Sequence, residues 1–223
     1  TQLKLGLAML LALLVLPLLA GHAPELPRDL AGYVLAAGAE TAVGLILGFA
    51  ATLLFAAVQL AGMLMDQELG FSLANVIDPL SNDQVSILGQ FELLLATALF
   101  LAIDGHHMLV GALVDSFSTL PVMTFRFNDA LAAHLGDEAF RDLFSIAVRL
   151  AAPTVVVKLI TTVAMGFLAR AVPEMNIFIV GFSIRILVGL VIIALTVGVF
   201  AEVFSQHAAQ TGNYLQRLTT IMR

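Results

Sequence analysis

Asp104, His106 and His107 form a short cluster of residue types that could bind a metal ion. A carboxylate and two imidazoles are common zinc ligands. Adjacent histidines on a helix point about 100° apart, however, and no further ligand follows at a recognisable spacing. We therefore expect neither a metal nor another cofactor here, and interpret the cluster as the polar end of a helix near a membrane interface.

The common catalytic motifs are missing from the sequence. There is no H-E-x-x-H, no G-x-S-x-G, and no Walker or Rossmann glycine pattern. The chain has no cysteine, which excludes thiol catalysis, disulfides and cysteine-based zinc sites. We expect a protein that is not an enzyme; an intramembrane enzyme, the alternative, would need an essential polar residue such as Asp104 or His106.

The composition is that of a membrane or membrane-assembly protein. Of 223 residues, 60% are hydrophobic and 12% charged, with a mean hydropathy of +1.01. Soluble domains average about 45–50% apolar and about 25% charged residues. The composition makes membrane lipid an expected partner. The net charge of -6 makes nucleic acid an unsuitable one.

Long apolar runs predict an all-α fold. Residues 31–65 carry one charge, Glu40, and as one helix would be ~52 Å long against ~30 Å for the hydrocarbon core. This run must therefore bend, reverse or leave the bilayer. Residues 66–83 are expected to form a polar connection. The other runs are 5–20, broken by Pro17, and 85–114, 143–169 and 177–201.

The signals that usually orient membrane helices are weak. Residues 29–125 contain nine acids and no base, and the chain has no Trp and two Tyr. Loop Lys and Arg set orientation, and aromatic belts anchor helices at the interface. No topology can be predicted from this pattern.

Charges within the apolar runs must be paired, hydrated or turned toward protein. Arg149 and Lys158 are nine residues apart and face opposite sides of a helix unless Pro153 rotates it. We predict that at least one meets an acid on another helix, either Glu40 or Glu92 or an acid of a partner. The residues assigned to buried ion pairing are Glu92, Arg149, Lys158 and Arg185, with Glu40 as a further partner.

Glu40, Gly44 and Gly48 recur at every fourth residue and share one helix face. Small residues at this spacing allow helices to approach closely. Two interpretations remain open, helix packing within the chain and contact with another subunit.

A stand-alone secondary transporter is a further alternative, because such proteins build sites from broken helices with buried charges. Those folds usually show two corresponding halves. We find none here.

Several stretches resemble, in order, the flagellar biosynthesis protein FliR family. They are residues 40–49, 61–72, the Asp78-Pro79 pair, 104–107 with 115–121, and 171–182. The last stretch is similar to the family signature through Pro173, Met175, Asn176, Phe178, Gly181 and Phe182. It departs from the usual pattern at Glu174, where Gln is common, and at Ser183, where Pro is common. The resemblance begins partway into the family, so we expect residues 1–223 to be a single FliR-like domain from which an N-terminal helix is missing.

The resemblance implies a membrane-associated bundle of long, kinked helical hairpins within a helical hetero-oligomeric export gate. The implied partners are FliP and FliQ, with FlhB and FlhA, and the cargo is unfolded flagellar substrates. The implied location is the bacterial inner membrane at the flagellar basal body. The related SctT-type virulence secretion subunits are the alternative within this architecture.

A gate that passes unfolded chains but not ions needs a movable apolar plug, and hydrophobic constrictions can close pores by dewetting. The family is known for such a loop. We predict that the segment from residue 117 to 127 serves this role, through Phe117, Leu120, Pro121, Val122, Met123, Phe125 and Phe127. The alternative is that these residues cap the helix bundle.

Overall fold

A computed structural model describes residues 2–19, 29–71, 86–121 and 123–223. Every regular element among these residues is a helix, which confirms the predicted all-α class. The helices are α1 (Gln2–Leu19), α2 (Leu30–Leu69), α3 (Ile87–Ala102), α4 (Gly105–Thr119), α5 (Asp129–Ala133), a π-helical turn (His134–Glu138), α6 (Ala139–Ala171) and α7 (Ile177–Ile221).

Polar side chains fix where several helices begin. Asp29 accepts a hydrogen bond from the Gly32 amide at the start of α2, and Ser86 accepts one from Gly89 at the start of α3. Asn128 accepts one from Leu131 at 2.7 Å and begins α5. Each satisfies an amide that the helix itself leaves unpaired.

Helix α2 runs without interruption for 40 residues. At 1.5 Å per residue its length is ~60 Å, so the predicted alternative in which this run reverses direction is wrong. The prediction of a polar connection at residues 66–83 is also wrong for the first residues of that range. Asp66 and Glu68 lie inside α2, and residues 72–85 lie outside the described part of the chain.

Three described stretches are long and apolar enough to cross a membrane: Leu30–Leu69, Asp129–Ala171 and Ile179–Ile221. The pair α3 and α4 would make a fourth if counted as one span. The pair is broken at Asp104, whose φ of 57° lies in the left-handed region. The break thus falls at the polar cluster of residues 104–107.

The chain divides into two compact units. The first comprises Thr1–Ala51, His106–Gly136 and Thr211–Arg223, and the second comprises Thr52–Gly105 and Asp137–Gln210. In the first unit a buried cluster joins α2, α4, α5 and the end of α7 through residues such as Leu47, Leu131 and Leu218.

In the second unit aromatic rings from α2, α3 and α7 pack together. The ring of Phe55 meets Phe100 edge-on at 5.3 Å and lies 6.1 Å from Phe204. Closer to the end of α2, Gly62 and Gly89 bring the backbones of α2 and α3 together, since a Cβ at Gly62 would collide with the Gly89 backbone.

Candidate gating segment and buried charges

A connecting segment, residues 120–128, joins α4 to α5 in the first unit. Its turn is closed by a hydrogen bond from the Thr124 amide to the Pro121 carbonyl at 3.1 Å. Met123 has a φ of 72°, a conformation that costs a non-glycine residue about 1–3 kcal/mol. The amide of Met123 donates to Oε1 of Glu40 at 2.7 Å. Glu40 therefore holds the turn against α2.

The other end of the connecting segment is held by the carboxyl end of α7. The Arg126 amide donates to the Met222 carbonyl at 2.9 Å, and Nδ2 of Asn128 donates to the Ile221 carbonyl at 2.9 Å. The segment is thus fastened at both ends.

The apolar side chains of the predicted plug divide into two groups. Leu120 is 6% exposed and belongs to the core of the first unit, and Phe125 packs against that core. Phe117 lies in the last turn of α4, not in the loop, and is half-buried. Phe127 is 69% exposed. Pro121 is exposed, Met123 is half-buried, and Val122 lies outside the described residues.

Leu120 and Phe125 therefore pack against the core of their own unit. Phe127 is a bulky apolar side chain of the segment that stays exposed. No contact among the described residues separates the plug from the capping alternative, so the whole predicted plug stays a prediction.

Glu40 was expected to pair with a cation, and the structure gives it a different partner. The half-buried carboxylate accepts the Met123 amide, which belongs to the same unit. A charge-assisted hydrogen bond to an amide satisfies a carboxylate without a basic residue.

Gly44 and Gly48 face open space in the structure. A Cβ at either position would meet no described heavy atom outside the helix within 4 Å. The predicted packing of this face within the chain is therefore not found among the described residues. The neighbouring Leu45 is exposed as well, so the described residues leave this part of the apolar surface of α2 uncovered.

Lys158 of α6 forms an ion pair with Glu68 of α2 at 2.5 Å. Both side chains are about one-third exposed. The acid is neither Glu40 nor Glu92, the two that the sequence analysis named. Glu68 was missed because it was placed in the connection after α2, whereas the helix continues to Leu69.

Glu92 of α3 is 5% exposed, and its Oε2 has no hydrogen-bond partner among the described residues. It lines a cavity of about 20 Å³ with Arg149, which is exposed at the rim. No ion pair joins these two side chains within the described chain, so Arg149 does not meet Glu92, one of the acids that the sequence left open for it. The side chain of Asp66 lies nearby, since its Oδ1 accepts the Leu88 amide one helical turn before Glu92.

Arg185 of α7 lines a second cavity in the same unit, together with Lys158, Thr154 and Thr161. Its Nε is buried without an acceptor among the described residues. The predicted ion pair of Arg185 is thus not formed with any described acid.

Comparisons with known proteins identify the family of this chain. Residues 1–211 match the family model described as bacterial export proteins, family 1. The chain is 35% identical over 192 residues to the flagellar biosynthetic protein FliR of Bacillus subtilis, covering 85% of this chain and 74% of that protein. It is 32% identical over 206 residues to FliR of Escherichia coli, covering 92% and 77%. The chain belongs to the FliR family.

The FliR signature stretch forms the turn between α6 and α7. The Met175 amide donates to the Val172 carbonyl, and Oδ1 of Asn176 accepts the Ile179 amide at 3.4 Å at the start of α7. Gly181 is buried, and a Cβ there would touch Met165 at an ordinary 3.5 Å. Pro173 is exposed, Phe182 is half-buried, and nothing is described of the Phe178 side chain. In this FliR-family chain the signature thus supplies a helix break and a helix cap.

The polar cluster at residues 104–107, which is part of the FliR resemblance, lies at the break between α3 and α4. Asp104, His106 and His107 are all exposed, and the two imidazole rings are 4.2 Å apart. Exposed groups of this kind are common without an ion, and their interpretation as a polar helix end stays a prediction.

Proposed function

We propose that this chain is a subunit of the flagellar type III protein export gate. In this proposal it forms, with FliP and FliQ, the channel through which unfolded flagellar substrates cross the bacterial inner membrane at the basal body, and it works with FlhB and FlhA. The family membership supports the export role. The relatives reported above carry the flagellar name, which favours this system over a virulence secretion system.

The uncovered apolar faces of the helices support an assembled role. Helix α2 exposes Leu45 and the two open glycines Gly44 and Gly48 on its outer surface. A ~60 Å helix is about twice as long as the hydrocarbon core is thick, so lipid alone cannot cover it. Neighbouring subunits are the remaining source of apolar cover.

The gating element in this proposal is the distal part of the connecting segment, with Phe127 as the apolar plug. The observation that carries it is that Phe127, which is 69% exposed, lies between Arg126 and Asn128, whose hydrogen bonds fasten the segment to the end of α7. A loop that must block ions at rest and move aside for cargo needs such a fixed but releasable attachment. A few hydrogen bonds of about 0.5–1.5 kcal/mol each, somewhat more where a charge takes part, meet that need.

The test is to shorten the connecting segment between residues 121 and 126 in a motile host. Whole-cell ion leak, secretion of flagellar substrate and co-purification of FliP and FliQ are measured in the same strains. Increased leak with the complex intact supports the plug. Unchanged leak with normal secretion assigns gating to another element, and failure to recover FliP and FliQ with the intact chain refutes the subunit assignment itself.

Phe127→Ala supplies a finer version of the test. Its matched control is Phe167→Ala, because Phe167 of α6 has the same side chain and is 70% exposed. Leak is expected to rise in the first variant and to stay at the wild-type level in the second.

A further inference from the structure

Glu92 presents an uncompensated carboxyl group to a small apolar cavity. The side chain is 95% removed from solvent, and its Oε2 has no donor among the described residues. The cavity of about 20 Å³ is lined mainly by apolar side chains, among them Met65, Phe91, Pro153 and Phe200. It is large enough for about one water molecule.

A second buried acid lies beside it. Asp66 of α2 is 6% exposed, and its Oδ1 accepts a hydrogen bond from the Leu88 amide at 3.2 Å. Leu88 is in the first turn of α3, where the helix dipole favours a negative charge. Glu92 follows Leu88 by four residues and has no such donor. The two carboxyl groups therefore differ, since Asp66 is compensated as an anion and Glu92 is not.

Among the described residues, the charged groups near Glu92 come from two helices. Asp66 of α2 accepts the Leu88 amide one turn before Glu92, and the exposed Arg149 of α6 lines the same cavity. The α7 residues that line the cavity, such as Ile193 and Thr196, carry no charge. Lys158, the next cation along α6, is paired with Glu68. An ionised Glu92 would thus face a like charge with no hydrogen-bond donor from the described residues, and burying such an ion costs several kcal/mol.

We infer that Asp66 and Glu92 form a proton-binding pair, in which Glu92 holds the proton, Asp66 keeps the negative charge, and Arg149 receives the Glu92 carboxylate when the proton leaves. In the release step the O–H bond of Glu92 breaks, its electron pair stays on the carboxylate, and the proton passes to a water molecule in the cavity. Arg149 then moves from the rim toward the new anion. Proton release thereby changes the contact between α3 and α6. This inference does not depend on the proposed export role.

The first experiment uses the whole chain in lipid nanodiscs and infrared spectroscopy of protonated carboxyl groups across a pH titration. At neutral pH we expect a carboxylic C=O band typical of an apolar environment. The band should disappear in Glu92→Gln and remain in the control Glu174→Gln, because Glu174 is exposed. Absence of the band in the wild type, or its persistence in Glu92→Gln, would overturn the inference.

Two further variants test the pair without removing Glu92. Asp66→Asn keeps an acceptor for the Leu88 amide but removes the like charge, so the affinity of Glu92 for its proton should fall about tenfold or more. Arg149→Gln removes the cation and should raise that affinity by a similar factor. A purely structural role would leave both titration midpoints at the wild-type value, so unshifted midpoints would refute the coupling even if Glu92→Gln fails to fold.

Discussion

The carboxylate of Glu40 accepts the backbone amide of Met123 at 2.7 Å across 83 positions of sequence. Met123 has a positive φ, which persists only where its surroundings hold it. A side chain in the first third of α2 thus fixes the conformation of the segment between α4 and α5. This link couples the long helix to the proposed plug.

Glu40→Ala should release the connecting segment. It leaves the Met123 amide without its acceptor, which costs about 1–3 kcal/mol. Arg126 is exposed but its own amide is tied to Met222, so limited trypsin digestion reports the release as faster cleavage after Arg126. Glu40→Gln keeps an oxygen acceptor and should show a smaller effect.

Thr41→Ala is the control for this change, because the exposed Thr41 hydroxyl donates only to Ala37 of the same helix. Its digestion pattern should match the wild type. Equal cleavage after Arg126 in Glu40→Ala and Thr41→Ala would show that the segment is held by other contacts.

Leu120→Ala and Phe127→Ala should separate capping from gating. Leu120 is buried in the core, so its truncation is expected to destabilise the chain by about 2–5 kcal/mol. Phe127 is exposed, and its truncation should change unfolding free energy by less than about 0.5 kcal/mol while raising ion leak. Denaturation in detergent measures the unfolding free energy of both variants, and a whole-cell assay measures the ion leak. A leak-free Phe127→Ala would leave capping as the role of the whole segment.

The hydrophobic pattern was sufficient to predict that the apolar runs are helical, but not where each helix ends. The last run was placed at residues 177–201, whereas the helix continues to Ile221. The end of α2 was misplaced because the acids at residues 66 and 68 looked like a loop. Asp66 instead stays in the helix. Its burial is tolerated because its carboxylate accepts a hydrogen bond from the Leu88 amide.

Partner choice among the buried charges could not be predicted. At least one of Arg149 and Lys158 was expected to meet Glu40, Glu92 or an acid of a partner, and Lys158 meets Glu68 instead. Periodicity assigns a residue to a helix face but not to the neighbour that covers the face, since that depends on which helices meet and at what height. The bond from Met123 to Glu40 was missed for the same reason, and a backbone donor leaves no signal in the sequence.

The pair of Lys158 and Glu68 should contribute modestly to stability. Both side chains are about one-third exposed, so we expect a coupling energy of about 1 kcal/mol rather than the ~3–5 kcal/mol of losing one partner of a fully buried pair. A double-mutant cycle with Lys158→Met and Glu68→Gln measures it through thermal unfolding. The same cycle with Arg149→Met in place of Lys158→Met should be additive, and equal coupling in both cycles would contradict a specific pair.

Alanine substitutions at two glycines of α2 should change the stability of the chain in opposite directions. Gly62→Ala places a methyl group against the Gly89 backbone, where no flexible side chain can yield, and should destabilise the second unit by about 1–3 kcal/mol. Gly48→Ala meets open space and removes a helix-weakening glycine, so the chain should be stabilised by up to about 1 kcal/mol. Thermal unfolding of the two variants in one detergent checks both signs.

The variant Gly48→Leu tests what covers this face of α2. The larger side chain also meets open space within the described chain, so the isolated protein should fold and unfold like the wild type. If a neighbouring subunit packs closely against Gly44 and Gly48, the added volume should sharply reduce co-purification of FliP and FliQ. Full recovery of both partners with Gly48→Leu would instead show that this face is turned toward lipid, where an added apolar side chain costs nothing.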